Sequence, residues 1–251
     1  MGPIAAIRRS VVAGILAGTF IFPSVAVAER DLQILLVGSS LVRGVKPYLK
    51  KLYREEHEIR VKVKGYGPAR WELQRHANSP LTAKLIGSQD WDFIFLAQSS
   101  TGGLSSSVYP DITKLFDRAA ATGAQVGFLM TWFGETEPLY LYDDLRGTED
   151  GTFGYVPLAD VLGAKIAPAG WAIREVVVEG NQVRLWRKGV HLRGQGKYLA
   201  AATVFAAIEG RSPLGLWAPE SWATDEVEYL QALAHDTLVE GASDWNVSVG
   251  P

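Results

Sequence analysis

The sequence predicts an α/β protein built around a mostly parallel sheet, and three observations carry that prediction. Short apolar runs suited to strands buried on both faces alternate with stretches whose apolar residues recur at helical spacing. Over the first half of the chain the order reads β-α-β-α-β-α-β, which implies parallel strands joined by right-handed crossovers. The 251 residues are 47% hydrophobic and contain no repeat, low-complexity tract or linker, so one domain can bury one large core.

The first 28 residues stand apart from that domain. Arg8 and Arg9 form a positive n-region, Val11 to Phe22 an apolar stretch, and Ala26-Val27-Ala28 an A-x-A cleavage site. The apolar stretch is short for a membrane span. It reads as a signal peptide cleaved after Ala28, leaving residues 29–251 as a single exported domain, periplasmic or secreted, with no stable membrane span. The arginine pair fits both the general and the twin-arginine export routes. Without Arg8 and Arg9, the 25 Lys and Arg become 23 against 27 Asp and Glu, a net charge of −4. That balance argues against a nucleic-acid partner. With no cysteine, disulfides, a thiolate nucleophile, a lipid-anchored cysteine and a Cys-ligated metal are all excluded. Asn246-Val247-Ser248 fits the glycosylation sequon, but beside a leader of bacterial type it reads as a chance match.

Leu32 to Val37 reads as the first strand. Helix-compatible sequence follows from about Lys46, with Tyr48, Leu49, Leu52 and Tyr53 on one face. Arg60 to Lys64 alternates charged and apolar residues, as a strand near a sheet edge would, and Gly65-Tyr66-Gly67-Pro68 ends it. Trp71 to His76 looks like a helical turn. Ser79-Pro80 supplies an N-cap and a proline at the first helical position, with Gly87 as the stop. Asp92 to Ala97 is the next buried strand and opens onto a polar loop, Gln98 to Ser107. A helix from about Asp111 carries Ile112, Leu115, Phe116 and Ala119 on one face and ends at Gly123, and Val126 to Met130 is a fourth strand. Glu135 to Tyr155 is irregular, and its acids lack calcium-loop spacing, so it reads as a solvated insertion. Val156 to Leu162 suggests a helix, and Pro168-Ala169-Gly170 breaks the chain before Trp171. Val176-Val177-Val178 and Val183-Arg184-Leu185 flank a Gly180-Asn181 turn and suggest a hairpin. Lys197 to Ile208 reads as a helix buried on most sides and capped by Gly210. A last helix starts near Asp225 with Glu228 completing a capping-box-like pair, and the tail from Gly241 reads as loose.

The chemistry concentrates in two stretches. Ile34-Leu35-Leu36-Val37-Gly38-Ser39-Ser40 runs from a buried strand into a small-residue turn. Such a turn lies at the carboxyl edge of the sheet, where open α/β folds bind ligands and where the N–H groups opening a helix stabilise negative charge. Ordinary βα turns also use Gly and Ser, for conformational reasons alone. What singles this one out is the second stretch, Gly189-Val190-His191-Leu192-Arg193-Gly194-Gln195-Gly196, just ahead of the buried helix. A serine needs a base to take its proton, and His191, on a loop held by a rigid element, would supply one. Of the other histidines, His57 sits among charges and reads as solvated, and His235 suggests surface or packing. His76 lies near the Gly67 loop, where a structural role outweighs a polar functional one. There is no His-x-x-x-His and no compact His/Asp cluster, so neither a metal nor any other cofactor is expected.

These stretches resemble the blocks of the SGNH (GDSL-like) hydrolases, over nearly the whole chain from Ile34 to about Leu238. Val37-Gly38-Ser39-Ser40 is similar to the first block, which implies Ser40 as nucleophile, with Ser39 where Asp or Asn is usual. Gly65-Tyr66-Gly67 falls near the second block, whose glycine N–H faces the oxyanion, and that implies Gly67. Leu96-Ala97-Gln98-Ser99-Ser100 falls at the third block, so the resemblance implies Gln98, with Ser99 beside it, for the oxyanion and substrate. Gly189-Val190-His191-Leu192 resembles the last block and implies His191 as base. The family places an Asp three residues before that histidine; here Lys188 occupies the position, and a lysine neither orients the imidazole nor stabilises its cation.

The resemblance implies a flavodoxin-like, three-layer α/β/α sandwich and an exported serine esterase or acetylesterase acting on a small-molecule or glycan ester. Two other functions use the same fold: a ligand-binding protein that has lost the acid and its activity, and an O-acyltransferase acting on a glycan. Eight tryptophans suit stacking on sugars, although tryptophan is more often a core residue.

Overall fold

The computed structural model describes residues 30–55, 59–148 and 150–248; the leader with its expected cleavage site, and His57, lie outside them. Five parallel strands form the central sheet: β1 (Arg30–Val37), β2 (Ile59–Tyr66), β3 (Phe93–Leu96), β4 (Gln125–Leu129) and β5 (Lys165–Ala167). Their spatial order is β2-β1-β3-β4-β5, the flavodoxin-like order, with the direction of winding reversing between β1 and β3. β1 pairs with strands on both sides and its Leu32, Ile34, Leu35, Leu36 and Val37 are wholly buried, which explains a run without alternation. β2 has one neighbour only. Its exposed Arg60, Lys62 and Lys64 keep the sheet edge from pairing with another chain.

The helices are α1 (Ser40–Leu52), α2 (Leu73–Ala77), α3 (Pro80–Ile86), α4 (Tyr109–Ala120), α5 (Tyr140–Arg146), α6 (Tyr155–Leu162), α7 (Ala169–Val178), α8 (Gly194–Glu209), α9 (Thr224–Glu240) and α10 (Ala242–Trp245). Right-handed crossovers put α1 and α8 on one face, where they pack on each other and α8 packs on α7 and α9. The α2–α4 group covers the other face. α8 is buried around most of its circumference, and Phe205, in its centre, packs its ring 4.9 Å from that of Tyr53. Burying a side chain of that size contributes about 1.5–3 kcal/mol. No helix among the described residues is long and apolar enough to cross a membrane.

Several expectations change at the boundaries. α1 begins at Ser40, six positions ahead of Lys46, and runs through the exposed Pro47, which leaves the Arg43 carbonyl without its helix donor. Val176, Val177 and Val178 are the last turn of α7, not a strand; Val176 is buried against the core, and that packing overrides β propensity. The hairpin lies further on, β6 (Trp186–Lys188) against β7 (His191–Leu192), turning at Gly189-Val190 with Gly189 at φ 52°. β5 has three residues, too few to show a period. At α9 the chain enters the helix at Ala223, so Asp225 lies inside the first turn and forms no capping box with Glu228. The tail from Gly241 is ordered by Trp245, which is 1% exposed and donates its indole N–H to the Thr237 carbonyl at 2.8 Å.

Candidate active site

The turn after β1 is shaped by close backbone approaches. Gly38 donates its N–H to the Tyr66 carbonyl at 3.0 Å, and a Cβ on it would stand 2.6 Å from the Ala97 carbonyl oxygen, where β1 and β3 converge. A Cβ on Gly67 would come within 1.8 Å of the Ser39 carbonyl oxygen. Both positions therefore require glycine. Ser39 is buried and caps α1, its Oγ accepting from Leu41 N–H at 3.4 Å. Ser40 is the first residue of the helix, half-buried, with an N–H that has no partner inside the helix.

His76 braces this turn. Its ring is wholly buried, with Nε2 2.9 Å from the Gly38 carbonyl and Nδ1 3.0 Å from Thr82 Oγ1. A carbonyl only accepts, so Nε2 carries the proton and Nδ1 accepts from the threonine. Burial lowers the pKa of His76; the Gly38 bond opposes that effect and the Arg75 charge adds to it. His76 is thus a neutral structural residue, as its sequence context suggested.

His191 reaches the site from the other end of the chain. It is exposed, on β7, and two indole N–H groups hold its hairpin in place. Trp132, in the loop after β4, donates to the Val190 carbonyl at 2.9 Å, and Trp186 donates to the Phe133 carbonyl at 2.9 Å. Arg193, just before α8, adds a backbone bond to Leu185 at 2.7 Å and a side-chain bond from Nε to the Trp186 carbonyl at 2.9 Å. The ion pairs of the described residues do not include His191.

Ser40 and His191 line the same cavity, of about 460 Å³, together with Leu41, Arg43, Gly44, Trp132, Arg187, Leu192 and Lys197. Lys188 faces His191 across the hairpin by backbone register yet does not line the cavity. Arg187, exposed on β6 beside the register irregularity between Trp186 and Lys188, lines the cavity instead.

The remaining residues expected at the site stand outside this cavity. Gln98 is wholly buried with its carboxamide committed: Oε1 accepts from Leu73 N–H and Ser99 N–H, each at 3.0 Å. Its Nε2 donates to the Gly103 carbonyl at 3.2 Å and to Gln74 Oε1 at 3.4 Å. Both of its amide hydrogens are therefore used, which leaves none to aim at an oxyanion. Ser99 is buried and bonds Thr101 at 3.0 Å. Sequence reasoning missed Arg43 and Trp132. Arg43 follows Ser40 by three positions on what proves to be the same helix, and Trp132 lies just past a strand's C-terminal end, where such folds place ligands.

No protein-family model matches the sequence, and no curated protein matches it. Solved structures match in three dimensions. A DUF4886 family protein from Bacteroides uniformis is similar with a TM-score of 0.70 and 20% identity over 83% of this chain and 95% of that one. A lipase/acylhydrolase from Enterococcus faecalis gives 0.54 and 14% identity over 71% and 96%. The fold is that of the SGNH hydrolases. A two-domain esterase active on acetylated mannans is similar at a TM-score of 0.52 and 13% identity, over 72% of this chain and 50% of that one. At these identities the likeness extends to the fold. Within the SGNH fold, Ser40 and His191 occupy the carboxyl edge of the sheet where the winding reverses.

Proposed function

We propose that this chain is an exported serine ester hydrolase in which Ser40 attacks the ester carbonyl and His191 takes the serine proton. The observation that carries the reading is the single cavity lined by both residues, from opposite ends of the chain. The backbone N–H of Ser40 serves the oxyanion, and Gln98 acts as a brace for the neighbouring loops. In the first half-reaction Oγ bonds to the acyl carbon, and the alkoxide leaves with the proton passed on by His191. In the second, water gives a proton to His191 and its oxygen to the acyl carbon, releasing the acid and restoring Ser40. The tryptophan-clamped hairpin positions the imidazole where family members use an acid. Fold relatives that include a lipase/acylhydrolase and a mannan-directed esterase support ester chemistry, with a small-molecule or glycan ester as substrate.

Turnover of short-chain aryl esters tests the reading. Ser40→Ala and His191→Ala each lower kcat by about a thousandfold or more in folded protein. Wild-type turnover in either variant sinks it. A second reading, a ligand-binding protein without turnover, draws on the lack of any carboxylate paired with His191 among the described residues; such a protein turns over no ester. Transfer of the acyl group to a glycan uses the same residues, and is distinguished by an acylated glycan product in place of free acid.

A further inference from the structure

The cavity beside Ser40 carries positive charge that no acidic side chain among the described residues pairs with. Arg43, Arg187 and Lys197 line it, and no acidic side chain does. The three come from separate elements: Arg43 from the first turns of α1, Arg187 from β6 and Lys197 from the first turn of α8. None of them takes part in the ion pairs of the described residues, where Arg60, Arg146 and Arg174 are each matched by carboxylates. The whole chain is acidic, with a net charge of −2, so convergence of three cations on one cavity does not follow from composition.

Packing fixes part of this charge in place. The stem of Lys197 lies against Gly44, one helical turn from Ser40, where a Cβ would stand 3.1 to 3.3 Å from three of its methylene carbons. The first turns of α1 and α8 hold no acid, and their peptide dipoles add to the positive potential at the same place. Leu41, Leu192 and Trp132 supply the apolar part of the lining, suited to a short acyl chain. Arginine in particular matches the oxygens of carboxylates and sulfates through paired N–H donors.

We propose that the ester taken by this cavity is anionic: an acyl ester on a sugar that bears a carboxylate or sulfate within reach of Arg43, Arg187 and Lys197. This rests on the placement of the site at Ser40 and His191, and it assigns the substrate class that site selects. A neutral sugar ester gains nothing from the three cations, whereas an anionic one exchanges its water for charge-assisted hydrogen bonds.

The test is binding to the Ser40→Ala protein, which separates recognition from turnover. NMR titrations with glucuronate, glucose 6-sulfate and glucose serve as the probes. At least one anionic sugar binds at least about tenfold more tightly than glucose, and the stronger of the two identifies carboxylate or sulfate as the natural group. Added Arg43→Ala, Arg187→Ala or Lys197→Ala each weakens that binding about 3- to 10-fold, and Lys84→Ala, remote from the cavity, leaves it unchanged. Raised salt weakens it as well. Equal binding of glucose and both anions, or anion binding unaffected by all three replacements together, overturns the inference. Anion binding in a protein whose wild type hydrolyses no ester removes the hydrolase reading and leaves only the recognition of an anionic sugar standing. Hydrolysis without anion selectivity does the reverse.

Discussion

Ser40 owes its setting to two glycines that admit no side chain. Gly67→Ala forces a methyl into the Ser39 carbonyl, and something must move. The expected outcome is a loss of about 1–3 kcal/mol of stability, read as a lower urea midpoint, with a larger proportional loss of activity because the displaced backbone carries Ser40, the proposed nucleophile. His76 gives the same turn a pH dependence. The fold holds the His76 proton more weakly than the unfolded chain does, so stability is complete above its ordinary value of 6.5 and falls as pH drops below it, towards the depressed folded value. Urea midpoints measured across that window should fall in wild type and fall less in His76→Gln. The turn at Ser40 and the loop at His191 could be singled out in the sequence because each is a short stretch with its own local signature, and the fold brings both to one cavity. The fate of Gln98 was not legible, since two of its four partners, Leu73 and Gln74, come from a part of the chain that only the fold brings to it.

At the level of elements, the β6–β7 hairpin carries His191, the proposed base, and tryptophan carries the hairpin. Trp132→Phe removes the N–H to Val190 and leaves a small cavity, so stability falls by about 1–3 kcal/mol while kcat falls tenfold or more, to about the level expected for a misplaced base. Steady-state kinetics beside thermal unfolding checks that split. A matched loss in stability and activity would mean that the bond is merely structural. This hairpin was placed wrongly in the sequence. Three valines in a row look like a strand, whereas Val176 in fact packs the inner face of α7, and the true strands are too short to show alternation. The longer elements, β1, α4 and α8, each bury enough apolar surface for the pattern to show directly.

Over the whole molecule, the sheet order brings the start and end of the fold to one edge, and the C-terminal segment locks α9 in place. Trp245→Ala empties a buried site and removes the bond to Thr237, costing about 3–5 kcal/mol in denaturant unfolding without a direct effect on the cavity residues. Tyr142 contributes to the stability at alkaline pH. Burial, against the Phe133 N–H bond and with the Glu137 charge adding, pushes its hydroxyl up to about 12. The fold therefore favours the neutral phenol, and stability declines as pH rises from 10 towards 12, a decline that Tyr142→Phe lessens. The α/β class, the parallel sheet and its single core were legible because they depend on periodicity summed over many residues. The cationic lining of the cavity was not, because Arg43, Arg187 and Lys197 meet only through tertiary packing.

In the proposed reading Ser40 is an activated nucleophile with His191 as its base, and no carboxylate is paired with that histidine among the described residues. Labelling of the purified protein with a fluorophosphonate, followed by peptide mapping, addresses it directly. The account predicts one adduct, on Ser40, that is absent from Ser40→Ala and strongly reduced in His191→Ala. A protein that stays unlabelled beside a reactive serine esterase, or an adduct on any other residue, would contradict it.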